Sequence, residues 1–248
     1  MTYATVIYTK KDRIAYITLN RPEANNIINQ QLAQELADVC RQINQDNDIY
    51  VVIITGAGDR AFCEGSELEQ VSPAYNIAAA IASIDQPVIA AINGDALGPG
   101  LELALSCDIR LASDKARFSF PQVAMGIIPM YGGTQRLPRI VGKGKALELI
   151  LTAETINADE AFRIGLVNKV MAKEELASEA EVMAKTMSAK GPLALRYAKE
   201  AINKGLDLTL EQGLRLEADL YFLLHTTTDR TEGIKAFRQK RPPQFRGQ

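Results

Sequence analysis

Gly98, Pro99 and Gly100 run directly into a short apolar stretch that carries one acid, Glu102. A glycine-bracketed turn at the head of a helix leaves the first backbone N–H groups without intrahelical partners, and such groups attract anions or developing negative charge. Proline is the one residue that cannot take part, because it has no N–H. Glu102 has two readings: an acid favoured by the helix dipole in a first turn, or a general base at the edge of an apolar pocket. A second junction, Pro129-Met130-Tyr131-Gly132-Gly133, predicts a helix starting near Thr134, with Gly133 or Thr134 near the cap, and is suited to shaping a pocket.

Other candidate chemistry is thinner. Gly56-x-Gly58-x-x-Ala61 follows a buried strand in the manner of a dinucleotide fingerprint, but "FCEGSELEQVSPA" breaks where a helix body should follow, so it reads as a strand-to-loop turn. His225 is the only histidine and reads as a packed residue on an apolar helix face, with no triad or metal partners in view. Cys40, Cys63 and Cys107 are far apart, odd in number and without metal-ligand spacing, and read as buried thiols of a reducing compartment.

The 248 residues can bury a substantial core, and 47% apolar with 23% charged residues is ordinary for a globular protein. A net charge of −2 gives no general pull toward nucleic acid or membranes. The locally basic ending "FRQKRPPQFRGQ" reads as a solvated or subunit-facing terminus. No signal-peptide pattern and no membrane-spanning run stand out, so the expected location is cytoplasmic.

The elements that must position these residues follow from periodicity. Residues 3–9 and 13–20 predict two strands around the charged turn "KKDR", 29–46 an amphipathic helix, and "YVVIIT" and "PVIAAIN" buried strands, with "DIRLAS" and "ARFSF" as short ones. Residues 56–75 read as a loop with functional content. The alternation favours an α/β core of roughly parallel strands, with an almost entirely helical pattern from about residue 132 onward.

Taken together, "ITLNRPEANN", "VVIITGAGDRAFCEGSEL", "PVIAAINGDALGPGLELALSCDIRLAS", "ARFSFPQVAMGIIPMYGGTQRLPRIVG", "AFRIGLVNKV" and "EGIKAFRQKRPPQF" resemble the crotonase superfamily, the enoyl-CoA hydratase/isomerase fold, over nearly the whole chain. The resemblance implies repeated ββα units in a core over residues 1–190 and a helical oligomerisation region over 191–248. It also implies a homotrimer or dimer of trimers and an acyl-CoA thioester substrate. No metal, nucleic acid, membrane or cofactor is implied beyond the coenzyme A of the substrate.

In such enzymes two backbone N–H groups hold the thioester oxygen as it gains enolate charge. By resemblance the first falls on Ser66 and the second on Pro99, with Gly100 as the donor that could substitute. Of the two glutamates of family hydratases, the first matches Glu102 and the second falls on Gln122, whose amide can orient a water but has no carboxyl proton to give. Met130 and Tyr131 stand where hydratases carry small residues and are expected to reshape the acyl pocket. The resemblance sets Ala24 and the loop of Cys63, Glu64, Gly65, Glu67 and Leu68 against the CoA. Glu69 stands where a lysine is often found, and a neighbouring subunit's Phe237 and Lys240 are implied near the adenine and phosphates. The leading expectation is an enoyl-CoA hydratase with a reduced catalytic set. The rivals are another crotonase reaction (thioester hydrolysis, decarboxylation or ring opening) and a catalytically weak CoA-binding homologue.

Overall fold

The protein is described by a computed structural model over residues 3–67 and 76–248. Strands β1 (Val6–Lys11) and β2 (Ile14–Leu19) form an antiparallel hairpin, and the amphipathic helix α1 (Gln30–Gln45) follows, capped by the Asn29 side chain on Leu32 N–H. Three strand-strand-helix units come next. They are β3 (Val51–Gly56), β4 (Ala61–Cys63) and α2 (Ile77–Ala82); β5 (Val88–Ile92), β6 (Asp95–Leu97) and α3 (Pro99–Leu105); β7 (Ile109–Ser113), β8 (Arg117–Ser119) and α4 (Gly133–Val141). Helix α5 (Lys143–Thr152), β9 (Ile156–Asn157), α6 (Ala158–Arg163), β10 (Lys169–Met171) and α7 (Lys173–Ser188) complete the core.

Among the described residues the long strands make one sheet, ordered β1-β2-β3-β5-β7-β10, and the short ones a second, ordered β4-β6-β8-β9. Beyond the hairpin the main sheet is parallel, so each crossover returns over a helix or the second sheet. Both faces of the main sheet are covered, which is why its strands read as unbroken apolar runs. Val51, Ile53, Ile89 and Leu111 face α7 through Leu176, Ala180 and Ala184, while Val52, Ile54, Ala90 and Ile92 face the large inner core.

The helices α8 (Pro192–Gly205), α9 (Leu210–Leu224) and α10 (Thr228–Arg238) follow the core. They pack on each other more than on the sheets, and Leu220 is the one buried residue of α9.

Several sequence expectations need correction. The chain after residue 132 is not purely helical: β10 closes the edge of the main sheet and β9 the edge of the second. Those strands span three and two residues, too few for alternation to register. Helix α4 starts at Gly133, within one residue of the expected start near Thr134, and its cap is Gly132, whose φ of 105° glycine takes without strain. His225 is not packed in the interior; it is exposed at the end of α9, with Nδ1 3.1 Å from the Tyr221 carbonyl. The lone-glycine fingerprint ends as expected without a helix, since β3 turns directly into β4.

Candidate active site

The second sheet and α3 build the site. Gly98 takes φ 50°, ψ −121°, a conformation closed to residues with a side chain, and donates its N–H to Ser119 O at 2.9 Å. Pro99 opens the helix at the position where a missing N–H costs least and its fixed φ helps most. Gly100 is required for a different reason: a Cβ there would lie 1.9 Å from the Cys63 carbonyl oxygen. The start of α3 is therefore seated on the end of β4, which couples the Gly-Pro-Gly turn to the loop carrying Ser66.

One turn further on, Glu102 is completely buried, at 0% exposure. Its Oε1 accepts hydrogen bonds from Tyr131 N–H and Gly133 N–H, both at 2.7 Å, and its Oε2 accepts one from Gln122 Nε2 at 3.3 Å. Helix-end electrostatics alone does not account for it, because the N–H groups that hold the carboxylate come from another segment. Burial pushes its pKa up; the Gly133 and Tyr131 N–H groups and the Arg136 guanidinium oppose this without cancelling it. The result is a carboxylate fixed at one oxygen and poised to take a proton.

Gln122 sits in a short 3-10 turn, Pro121–Met125, with its amide against Gly98. Its Oε1 has no partner, and neither have the hydroxyls of Tyr131 and Ser66. These three are among five buried side-chain polar atoms left unpaired among the described residues, and three from one predicted site is a concentration that a ligand or water would relieve.

Ser66 forms a parallel bridge with Ile28: Ile28 N–H bonds Gly65 O and Glu67 N–H bonds Ile28 O, both at 2.9 Å. In that pattern the N–H of Ser66 itself points away from Ile28, and it has no partner among the described residues. The turn ending at Ala24 abuts this loop, with Asn25 O accepting from Glu64 N–H at 3.2 Å and Asn25 Nδ2 donating to Glu64 Oε2 at 2.8 Å. An Arg21–Glu67 ion pair at 2.9 Å adds to the clasp. Cys63 is buried and Gly65 takes a positive φ of 127°. Leu68 and Glu69 lie outside the described residues.

The two pocket-shaping residues line the same groove but differ in exposure. Tyr131 is 1% exposed and lies in the interior beside Glu102, whose charge raises its pKa further after burial has done so. Met130 is half exposed on a groove of about 710 Å³ whose other walls include Leu105, Arg136, Lys199 and Leu206. Phe237, at 86% exposure, and Lys240 lie at the end of α10 and are not brought to Glu102 within the chain. Sequence reasoning missed the N–H donors of Tyr131 and Gly133 and the charge of Arg136, which also donates to Tyr131 O at 2.8 Å. The paired glycines ahead of α4 were the available signal.

The core of strand-strand-helix units thus places a buried acid at one helix start, with polar groups beside it that have no partner among the described residues. The family model for enoyl-CoA hydratase/isomerase matches residues 9–248. The chain is 42% identical to crotonyl-CoA hydratase of Syntrophomonas wolfei, over 99% of both chains, and 40% identical to short-chain-enoyl-CoA hydratase of Clostridium acetobutylicum, over 97% of both. The solved structure of enoyl-CoA hydratase from Bacillus anthracis superimposes with a TM-score of 0.96 at 38% identity, covering 99% of this chain and all of that one. The chain belongs to the enoyl-CoA hydratase/isomerase family and is an acyl-CoA enzyme of the crotonase superfamily.

Proposed function

We propose that this enzyme adds water across the double bond of a short 2-enoyl-CoA, with Glu102 moving the proton. The observation that carries the reading is the unequal treatment of the two carboxylate oxygens: Oε1 accepts from two N–H groups at 2.7 Å, whereas Oε2 accepts from Gln122 Nε2 at the longer distance of 3.3 Å. Oε2 is the oxygen left to take a proton from water as its hydroxyl adds to Cβ. The same oxygen then returns that proton to Cα, so one carboxyl closes the balance and Gln122 need supply none. Its raised pKa suits both halves of this exchange. Ser66 N–H polarises the thioester carbonyl, and the amide of Gln122 orients the water.

The remaining assignments fit the same reading. Ala24, Cys63, Glu64, Gly65, Glu67 and Leu68 flank the CoA. Met130 and Tyr131 bound the acyl group, and Phe237 and Lys240 of one protomer serve the nucleotide end of CoA held by a neighbour in a homotrimer or dimer of trimers. No cofactor is needed beyond the CoA of the substrate. Three free, buried cysteines suit a reducing, cytoplasmic setting.

The test is the loss of conjugated-thioester absorbance from crotonyl-CoA, with the hydroxyacyl product identified by mass. Glu102→Gln is expected to slow it by about 10²- to 10⁴-fold. Release of free CoA in place of hydration would transfer the assignment to thioester hydrolysis, the reaction that a single base and no α-carbon proton would favour.

A further inference from the structure

Pro99 leaves the oxyanion site short of a donor, and the neighbouring N–H groups do not make good the loss. Gly98 N–H is spent on Ser119 O at 2.9 Å. Gly100 lies against the Cys63 carbonyl, where a Cβ would come within 1.9 Å of the oxygen, so the start of the helix is seated on the end of β4 and its N–H is one residue beyond the position Pro99 occupies. Three residues beyond Cys63, Ser66 carries an N–H and a buried hydroxyl that have no partner among the described residues. An interior hydroxyl without a partner is unfavourable, and an alanine would fill nearly the same space without that cost.

We propose that the Ser66 hydroxyl is the second hydrogen-bond donor to the thioester oxygen, replacing the backbone N–H that Pro99 lacks. The inference rests on the enolate-forming reading of the site above. Both donors then come from one residue, its N–H and its O–H converging on the oxygen that gains charge. A hydroxyl is suited to this because its hydrogen rotates freely to the acceptor. The Ile28 bridge fixes the backbone at Ser66, so its N–H is held before substrate arrives.

The experiment compares the unmodified enzyme, Ser66→Ala and the double variant Ser66→Ala/Pro99→Gly, which returns an N–H to the turn. Two readouts are taken: kcat and KM for crotonyl-CoA, and the enolate absorbance of bound acetoacetyl-CoA across pH. Ser66→Ala is expected to lower kcat by about 10²-fold, the scale of losing one oxyanion donor, with little change in KM. It should also move enolate formation by the bound β-ketoacyl thioester to higher pH. The double variant should recover at least about ten-fold of the lost kcat, the effect expected if a lost donor is replaced.

Unchanged kcat and an unchanged enolate profile in Ser66→Ala overturn the proposal. So does a loss that the double variant fails to recover while thermal stability falls, since that marks a packing role. If the unmodified enzyme does not hydrate crotonyl-CoA, the hydration reading fails by itself. The acetoacetyl-CoA titration still decides the Ser66 assignment, because it needs binding and no turnover.

Discussion

Glu102 and Gln122 define the site at the scale of single residues, and their chemistry makes opposite predictions for pH and for substitution. Burial raises the Glu102 pKa, so the base form accumulates only as pH climbs past the usual carboxylate range, and the acid limb of kcat/KM should lie above that range. The folded protein holds this proton more tightly than the unfolded chain, so Glu102 contributes stability at low pH that is lost as pH rises through its raised pKa. The melting temperature of Glu102→Gln relative to the unmodified protein should therefore increase from acid to neutral pH. Gln122→Glu would place a second carboxyl 3.3 Å from Oε2, where two like charges cannot both persist and one proton is shared. Hydration should rise by about ten-fold or more as a general acid is gained, with a bell-shaped pH profile; an unchanged rate would mean that the α-carbon proton never passes through this position. Glu102 was legible as an acid alone in an apolar helix. Gln122 and Ser66 were legible only by resemblance, because an amide and a small hydroxyl carry no signature of their own. The N–H donors of Tyr131 and Gly133 were signalled only by the paired glycines Gly132 and Gly133, since every residue but proline offers the same group.

At the scale of elements, the seat of α3 on β4 is the contact on which the site depends. Gly100→Ala places a methyl 1.9 Å from a backbone oxygen, and neither partner is a flexible side chain that could move aside. The variant should be destabilised by about 1–3 kcal/mol or more and lose hydration with it, measured by thermal unfolding beside the crotonyl-CoA assay. The long strands and most helices were readable because their apolar periods extend over several residues. The second sheet was readable only in part: "ARFSF" marked β8, but β6 and β9 span three and two residues, and pairing rather than pattern makes them strands. That sheet nevertheless aims the turn at Gly98, through the bond to Ser119. The parts hardest to read in the chain are thus the ones nearest the chemistry.

At the scale of the whole molecule, the three last helices carry more apolar surface than a monomer would leave wet. Helix α9 exposes Leu210 at 80%, with Leu214, Tyr221, Phe222 and Leu223, and α8 exposes Ile202 at 65%. Large apolar side chains exposed in this number on neighbouring helices are what an association surface would supply. The protein is expected to run as a trimer or hexamer by light scattering, and Leu210→Glu together with Phe222→Glu should shift it toward monomer. Phe237→Ala should weaken CoA binding if that residue serves a neighbouring site. Periodicity made these helices visible but not which of their apolar faces the single chain leaves exposed, since the pattern is the same either way.

The clasp on Glu102 also bears on how an inert form of this enzyme should be made. Among the described residues Tyr131 and Gly133 have no other acceptor for the N–H groups they give to Oε1, and Gly133 sits tightly enough that a Cβ would meet Phe120 and Pro129 at 2.8 Å. Removing the carboxylate with alanine strands both N–H groups and frees the wall that carries Tyr131, so a substrate soaked into such a variant would be seen in a cavity the working enzyme never presents. Glutamine leaves an oxygen in the clasp. It is the substitution with which to trap an unreacted acyl-CoA in place.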